Sequence, residues 1–380
     1  MMLRHVLFLV FVGVAASNLA PFYKTDVSSR VPNKYIVILE EDTVEQIANK
    51  IEVMSNDFDE GPKVLRRWNS VLFGLSVEMS QRAMEKVRTF QGIKYIEEDT
   101  LGRGASVASW GLDRVDQRYL PLDDRFVPRG DGFGVNAYVL DTGIRYSHVD
   151  YEGRAAFWYD CVQDGQRDPT GDCHGHGTHC AGTLGARNYG VATKVNLWDV
   201  RVLNCNNLAM WSWVIDGLNR IGLFGAKPGV ASVSIYGSFS LSLNAAVNDL
   251  VNKGFPVVIC AGNDNADACG YSPASAADGI TVGATDKDDA RWSSSSWGSC
   301  VHIFGPGVNI LSTYRNSDTS TAYMSGTSMA TPHVAGAAAI HLQLNPGLSA
   351  YAVKNAILND ATVNVVSNPR GTPNRMLYIG

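Results

Sequence analysis

The sequence predicts an α/β fold with a mainly parallel sheet and helices on both faces, preceded by a small α+β domain. Apolar β-branched runs alternate with helical patterns through most of the chain after residue 109. Glutamates crowd the first hundred residues, whereas all seven cysteines lie after residue 160. A Gly- and Ser-rich segment at 101–109 separates the two compositions and is typical of an exposed linker.

The first residues have the pattern of an export signal. Arg4 and His5 precede an apolar run at 6–16, and Ser17 follows it. This charged start, short apolar stretch and small residues at a cleavage point predict a signal peptide at 1–17. No later stretch of the sequence is long and apolar enough to span a bilayer. We therefore expect a secreted, extracellular protein with no membrane partner.

The overall charge gives no indication of a nucleic-acid or membrane partner. Of the 380 residues, 18% are charged, and the net charge is −5. This weakly acidic balance does not favour binding to nucleic acid or to an anionic membrane surface. Because no association helix is evident in the sequence, we expect a monomer.

The region at 18–102 predicts a compact α+β domain. Apolar spacing predicts strands at 34–39, 71–77 and 92–96, separated by helices at 44–54 and 80–90. Ser80 is the expected N-cap of the second helix.

The region at 103–380 predicts the parallel sheet. The expected strands lie at 135–140, 195–202, 230–235 and 255–261, and expected helices at 210–219 and 241–252. Active sites in such folds lie at the carboxyl ends of the strands.

Four polar side chains are expected at that edge. Asp141 and Asn263 follow apolar strands, whereas His176 and Ser328 lie at helix starts. Pro332 is expected in the first turn of the late helix, because further inside a proline removes a backbone hydrogen bond. The four side chains can therefore converge although they are far apart in sequence.

These residue types suit nucleophilic acyl transfer. Serine becomes a nucleophile when a base removes its proton, and His176 can be that base for Ser328. Asp141 can fix the imidazole tautomer, and the amide of Asn263 can donate to the oxyanion. Each residue alone also fits a structural role, as a turn former, a packed histidine or a helix N-cap. Their occurrence together favours catalysis.

Four short motifs occur in a fixed order: Asp141-Thr-Gly, His176-Gly-Thr-His, Ala261-Gly-Asn and Gly326-Thr-Ser-Met-Ala-Thr-Pro-His. In that order they resemble the subtilisin-like serine proteases, and among these the proteinase K-like branch. The resemblance covers about 110–378 and implies a three-layer α/β sandwich and a serine endopeptidase. It also implies Asp141, His176 and Ser328 as the catalytic triad and Asn263 as the oxyanion donor. The implied substrates are peptides or proteins, and no cofactor is needed for catalysis.

The small domain resembles the inhibitory propeptide of the same family. The segments Lys34-Tyr-Ile-Val-Ile-Leu and Gly92-Ile-Lys-Tyr-Ile-Glu-Glu-Asp-Thr carry this likeness. The resemblance implies a ferredoxin-like domain that assists folding and then acts as an intramolecular inhibitor. Self-cleavage at 100–105 would release the peptidase domain, so the chain is expected to be a zymogen.

The cysteines suit an oxidising compartment. The resemblance implies two disulfides, Cys173 with Cys205 and Cys269 with Cys300. It also matches Cys180 to a free, buried thiol, and it leaves Cys161 and Cys260 without partners.

Oxygen ligands cluster shortly after the linker. Asp113, Asp116, Gln117 and Asp123 match positions that hold structural calcium in some relatives, and calcium takes six to eight oxygen ligands. A solvated acidic loop fits the same residues equally well.

The resemblance also assigns the peptide-binding residues, which are Ser234, Ile235, Tyr236, Gly237, Cys260, Ala261 and Gly262. Two features depart from the family pattern. Tyr236 replaces a glycine, and Asn207-Leu-Ala replaces a Gly-x-Gly edge. The added bulk at Tyr236 predicts a narrow pocket that favours small substrate side chains.

Two other functions fit parts of the sequence. A non-catalytic binding protein would retain the fold with an altered groove, although the complete triad argues against it. A cysteine hydrolase would use Cys260 or Cys180, although neither lies at the helix start that the chemistry requires.

Overall fold

The computed structural model describes residues 19–380 except 26–29, 55–57, 59–60, 71, 101–106 and 167. The expected signal peptide at 1–17 and almost all of the expected cleavage segment lie outside the described residues. The chain divides into two compact units, Met1–Gly104 and Ala105–Gly380.

The first unit is an α+β fold with its own core. Its elements are β1 (Phe22–Tyr23), β2 (Arg30–Leu39), α1 (Val44–Val53), β3 (Lys63–Asn69), β4 (Phe73–Glu78), α2 (Gln81–Val87) and β5 (Ile93–Thr100). The five strands form one sheet in the order β1-β5-β2-β4-β3. From β2 to β5 the chain follows the β-α-β-β-α-β order of ferredoxin-like folds.

Local sequence explains most of this unit. Val37, Ile47, Leu75 and Ile96 are buried in one core, in agreement with the predicted apolar faces. Ser80 is the N-cap of α2, and its side chain accepts a hydrogen bond from the backbone N–H of Ala83. Strand β3 was not predicted, because it is a sheet edge whose residues are mostly exposed or half-buried.

The second unit contains the following elements: α3 (Trp110–Val115), β6 (Asn136–Asp141), β7 (Ala155–Asp160), α4 (His176–Gly185), β8 (Asn196–Arg201), α5 (Trp211–Phe224), β9 (Gly229–Val233), β10 (Gly237–Ser238), α6 (Leu241–Asn252), β11 (Val257–Cys260), β12 (Tyr271–Ser272), β13 (Ile280–Thr285), β14 (Ile303–Pro306), β15 (Ile310–Thr313), β16 (Thr321–Met324), α7 (Thr327–Leu344), α8 (Ala350–Asp360), β17 (Thr362–Val363) and β18 (Arg375–Met376).

Nine of these strands form the central sheet. Their order is β17-β18-β14-β13-β11-β9-β6-β8-β7. Within it β17 pairs antiparallel to β18, whereas the other neighbouring strands pair in parallel. From β6 the chain runs first to β7 and β8 on one side and then to β9 on the other. This reversal leaves a crevice at the carboxyl ends of β6 and β9, where α/β folds bind ligands.

Apolar residues on both faces of the sheet make the fold three-layered. In β6, Val139 packs into a core that includes Val334 of α7, whereas the next residue, Leu140, packs into a core that includes Leu218 of α5. Successive side chains of a strand point to opposite faces, so a strand buried on both faces is apolar throughout. This arrangement confirms the predicted α/β fold. Among the described residues, no helix is both long enough and apolar enough to cross a membrane.

The expectation for Pro332 was wrong. Helix α7 begins at Thr327, so Pro332 is its sixth residue and lies in the second turn. A proline there cannot donate to the carbonyl four residues earlier, which belongs to Ser328. That carbonyl oxygen instead accepts hydrogen bonds from Ser234 Oγ at 3.0 Å and from Cys180 Sγ at 3.4 Å. Two side chains from neighbouring elements thus satisfy the group that the proline leaves unpaired.

Candidate active site

The four polar residues singled out by the sequence gather at the carboxyl edge of the sheet. Asp141 is the last residue of β6, and His176 is the first residue of α4. Ser328 is the second residue of α7, and Asn263 lies three residues beyond β11. A cavity of about 300 Å³ opens here, and His176, Asn263 and Ser328 all line it.

Asp141 and His176 form a buried pair. The Nδ1 of His176 lies 2.7 Å from Asp141 Oδ1, which also accepts the backbone N–H of Thr142 at 2.8 Å. Burial alone would lower the pKa of His176, but the Asp141 carboxylate outweighs it and raises that pKa well above its ordinary value. Because Nδ1 donates to the carboxylate, Nε2 is the nitrogen left to accept a proton.

Asp172 links the two elements that carry this pair. It is fully buried, and its Oδ1 accepts hydrogen bonds from Thr142 Oγ1 and from the backbone N–H groups of His174 and Gly175, each at 2.9 Å. Its Oδ2 accepts the backbone N–H and hydroxyl of Thr178, at 2.9 and 2.6 Å. One carboxylate therefore holds the end of β6 and the start of α4 together.

Asp172 was not singled out from the sequence. Asp172 lies three residues before the N-cap Gly175, so it is outside the N-cap position at which an aspartate is expected. The additional bond to Thr142 spans 30 residues, and no local pattern indicates it.

The amide of Asn263 has a fixed orientation. Its Oδ1 accepts the backbone N–H of Thr327 at 2.9 Å and the Thr327 hydroxyl at 2.8 Å. The Thr327 hydroxyl oxygen in turn accepts the backbone N–H of Gly262 at 3.2 Å. Since Thr327 supplies two donors to one oxygen, the Nδ2 hydrogens of Asn263 remain for a group in the cavity.

Ser328 lies in the first turn of α7. Its Oγ donates to the carbonyl of Ser234 at 3.3 Å, which ties the serine to the chain leaving β9. Backbone N–H groups in a first turn have no partner within the helix, and the helix dipole favours negative charge there. The side chain is therefore in a position suited to a reaction that develops charge on oxygen.

The expected peptide-binding residues divide into two groups. Ser234, Ile235 and Tyr236 line the cavity beside Ser328. Gly237 begins β10. The chain that leaves β11 is buried, and Cys260 and Ala261 have no exposed surface at all.

The cysteines form two disulfides and leave three buried thiols. Cys173 is bonded to Cys205, and Cys269 to Cys300. The free cysteines are Cys161, Cys180 and Cys260. Burial raises the pKa of Cys180, and it raises the pKa values of Cys161 and Cys260 to about 12. All three are therefore neutral thiols at ordinary pH.

Asp113, Asp116 and Asp123 lie close together near the start of the second unit. Asp113 accepts the backbone N–H groups of Asp123 and Asp124, and Asp116 Oδ2 accepts that of Val127. Burial raises the pKa of Asp113 and of Asp116, and neighbouring carboxylates add to both shifts.

Three further observations bear on a cation at this place. Among the described residues, Asp116 Oδ1 is buried without a hydrogen-bond partner. Gln117 Nε2 donates to the carbonyls of Tyr119 and Pro121, so these two oxygens already have a hydrogen-bond partner. An unpaired buried carboxylate oxygen suits a hard divalent cation. Within the described part of the chain, however, Asp113, Asp116 and Asp123 do not bring one oxygen each within 4.8 Å of one another.

Comparison with known proteins decides the family. The peptidase S8 model, described as the subtilase family, matches residues 132–376. The chain belongs to the subtilase family. Over 96% of its length, this subtilase is 41% identical to the extracellular serine proteinase of Thermus sp. (strain Rt41A), of which it covers 93%. It is 35% identical over 95% of its length to the cuticle-degrading protease of Metarhizium anisopliae, of which it covers 93%.

A solved structure supports the same conclusion. The crystal structure of a cold adapted subtilisin-like serine proteinase matches with a TM-score of 0.70 and 46% sequence identity, covering 72% of this subtilase and 99% of that chain. The predicted family and fold are confirmed, and the protein is a subtilisin-like serine protease that acts on peptide or protein substrates.

Proposed function

We propose that this subtilase is a secreted endopeptidase, made as a self-cleaving zymogen, in which Ser328, His176 and Asp141 form the catalytic triad. Asn263 is the oxyanion donor. The observation that carries the proposal is the 2.7 Å contact between Asp141 and His176, beside a cavity that His176 shares with Ser328 and Asn263.

The reaction follows from this arrangement. As Ser328 Oγ attacks the substrate carbonyl carbon, His176 Nε2 takes its proton, and Asp141 stabilises the imidazolium. Asn263 Nδ2 and the backbone N–H of Ser328 donate to the oxyanion, because the N–H groups of Thr327 and Met329 already donate to Asn263 and Gly326. His176 then gives the proton to the leaving amine. Water hydrolyses the acyl-enzyme by the same steps, and no cofactor takes part.

The state of the thiols supports Ser328 as the nucleophile. The reactive form of cysteine is the thiolate, and burial keeps Cys180 and Cys260 protonated. Cys180 Sγ lies 3.4 Å from the carbonyl oxygen of Ser328, so it contributes a hydrogen bond to the helix that carries the serine.

The first unit is the inhibitory propeptide in this proposal. It has a core of its own, which includes Val37, Ile47 and Leu75, and the chain divides between Gly104 and Ala105. The second unit depends on parallel strands joined by long connections, and such folds form slowly. A domain that assists folding and is later cut off by Ser328 is consistent with both features.

Export to an oxidising compartment is part of the proposal. One relative is named as extracellular, and the second unit carries two disulfides, which persist in such compartments. We also propose that the released protease is a monomer. A structural calcium ion is proposed at Asp113, Asp116, Gln117 and Asp123, with no part in the chemistry.

Expression of the wild type and Ser328→Ala tests the proposal. The wild type is expected to begin near residue 103 after maturation and to degrade casein. Ser328→Ala is expected to retain the residues from about 18 onward and to be inactive, as is His176→Ala. A mature wild type that cleaves no substrate would instead indicate a binding protein. Activity of Ser328→Ala that thiol reagents abolish would indicate a cysteine hydrolase.

A further inference from the structure

The side chain of Tyr236 lies between two neighbouring strand ends beside Ser328. Strands β9 and β11 pair in parallel, with Val233 opposite Ile259, and the chain leaves them as 234–237 and 261–263. The Tyr236 ring bridges this interval, since a methyl group added to Gly262 would lie 3.0 Å from Tyr236 Cδ2. The ring thus rests against the backbone of the opposite segment.

Contacts at its far edge fix the ring in this place. The Tyr236 hydroxyl donates to Asp264 Oδ1 at 3.3 Å, and the ring meets that of Tyr271 edge-on at 6.3 Å between centroids. Burial raises the pKa of Tyr236, and the Asp264 carboxylate adds to the shift, so the hydroxyl remains a donor at neutral and mildly alkaline pH.

The backbone that follows Tyr236 is also held. Gly237 in β10 pairs with Ser272 in β12. On its other side, Gly237 packs against Trp211, where an added methyl group would lie 2.8 Å from the indole ring. Trp211 Nε1 also donates to the carbonyl of Ser238. A shift of the segment that carries Tyr236 would therefore disturb several contacts.

Tyr236 and the residues that end β11 differ in their access to the cavity. Tyr236 lines the cavity next to Ser328, whereas Cys260 and Ala261 are 0% exposed. The interval between the strand ends is filled by the protein's own aromatic ring, which leaves little room there for a large side chain of a substrate.

A bound peptide needs this interval. An extended substrate can add as a strand along the segment at 234–237, with its side chains alternating in direction. We expect the residue whose carbonyl carbon faces Ser328 Oγ to direct its side chain between the two strand ends, because the family resemblance assigns both segments to peptide binding.

We propose that Tyr236 is the specificity-determining residue of this protease, and that its ring restricts cleavage to peptide bonds that follow a small residue such as alanine, glycine or serine. The inference rests on the proposed function. Its physical basis is steric, because a large side chain can enter only if the ring leaves its contacts with Gly262, Asp264 and Tyr271.

Kinetics on the mature enzyme test this inference. The substrates are fluorogenic peptide amides that are identical except for the residue before the cleaved bond, which is alanine, leucine or phenylalanine. We expect kcat/KM of the wild type to be higher for alanine than for phenylalanine by at least about tenfold. A wild type that cleaves after phenylalanine as well as after alanine would overturn the inference.

Two variants separate the ring from the hydroxyl. Tyr236→Gly removes the ring and is expected to raise the phenylalanine-to-alanine ratio of kcat/KM by at least about tenfold. Tyr236→Phe is the matched control and is expected to retain the preference for alanine, because the ring remains. A Tyr236→Gly enzyme with the ratio of the wild type would contradict the proposal. If that variant does not mature, the wild-type series together with Tyr236→Ala decides.

The experiment gives different results if the proposed role of Tyr236 is wrong and if the proposed protease function is wrong. A preference for phenylalanine in an active wild type overturns the role of Tyr236 alone. Resistance of every peptide, together with undigested casein, overturns both.

Discussion

Thr142 donates a 2.9 Å hydrogen bond to Asp172, and this contact joins the strand that ends in Asp141 to the helix that begins with His176. Asp172 touches neither the cavity nor a reacting atom in the proposed mechanism, so it is a positioning residue. Its carboxylate accepts five hydrogen bonds from four residues, which amide chemistry cannot reproduce.

Asp172→Asn is therefore expected to lower kcat with little change in KM. An asparagine side chain would direct N–H hydrogens at some of these donors, and the repulsion would displace the start of α4. A displacement of about 1 Å near the reaction can lower the rate by about 10²-fold. Steady-state kinetics measure the effect. Asp168→Asn is the matched control, because Asp168 accepts its bonds from Thr170 in the same loop. An Asp172→Asn enzyme with unchanged kcat would show that the carboxylate does not position the pair.

The pH dependence tests the buried pair. In the proposed mechanism His176 acts as a base when it is neutral, and Asp141 raises the pKa of His176 above 6.5. The low-pH limb of kcat/KM should therefore lie above pH 6.5, with activity lost as the pH falls through this raised value.

Asp141→Asn removes the charge that raises this pKa. The low-pH limb is expected to move to lower pH, and kcat is expected to fall by about 10⁴-fold. Asp249→Asn, at an exposed position of α6, should leave the profile unchanged. If the low-pH limb of kcat/KM in Asp141→Asn lay at the same pH as in the wild type, a group other than the Asp141–His176 pair would control the pH dependence.

The fixed orientation of the Asn263 amide predicts losses of kcat of different size in two variants. Asn263→Ala removes the donor and is expected to lower kcat by about 10²–10³-fold with a nearly constant KM. Thr327→Val removes one of the two bonds that orient the amide but keeps the backbone N–H, so a smaller loss of kcat is expected. If Asn263→Ala raised KM and left kcat unchanged, the amide would bind substrate instead of the oxyanion.

Thermal unfolding tests the calcium site. In the inactive Ser328→Ala background, which avoids self-digestion, calcium at about a hundred times its Kd should stabilise the fold by about 2.7 kcal/mol. Asp116→Asn should weaken this response, because Asp116 Oδ1 is the buried oxygen without a partner. The control is Asp124→Asn, at an exposed neighbour. Equal melting temperatures in calcium and in a chelator would exclude the site.

The positions of the proposed catalytic side chains could be predicted because parallel strands bring their carboxyl ends to one edge. Asp141 and Asn263 follow buried apolar strands whose pattern is local and strong. Ser328 does lie at a helix start, but the expectation that placed Pro332 in the first turn was wrong. Local spacing was therefore enough to place Asp141 and Asn263 at strand ends, and it described the start of α7 only in part.

Features that depend on distant contacts could not be predicted. Pro332 is tolerated in the second turn because Ser234 and Cys180, from other elements, satisfy the carbonyl of Ser328. Strand β3 gains its place from pairing with β4 and has little apolar pattern of its own. The sequence indicated bulk at Tyr236, but the direction of the ring toward Gly262 depends on backbone geometry that no motif records.

Labelling with a serine-directed phosphonate probe tests the role of Ser328 most directly. The mature wild type is expected to gain the mass of one phosphonyl group, mapped to Ser328 by peptide analysis, with parallel loss of activity. Labelling should be absent in Ser328→Ala and much slower in His176→Ala. An active wild-type enzyme that gains no label at Ser328, or a Ser328→Ala protein that retains activity, would contradict the assignment of this serine as the nucleophile.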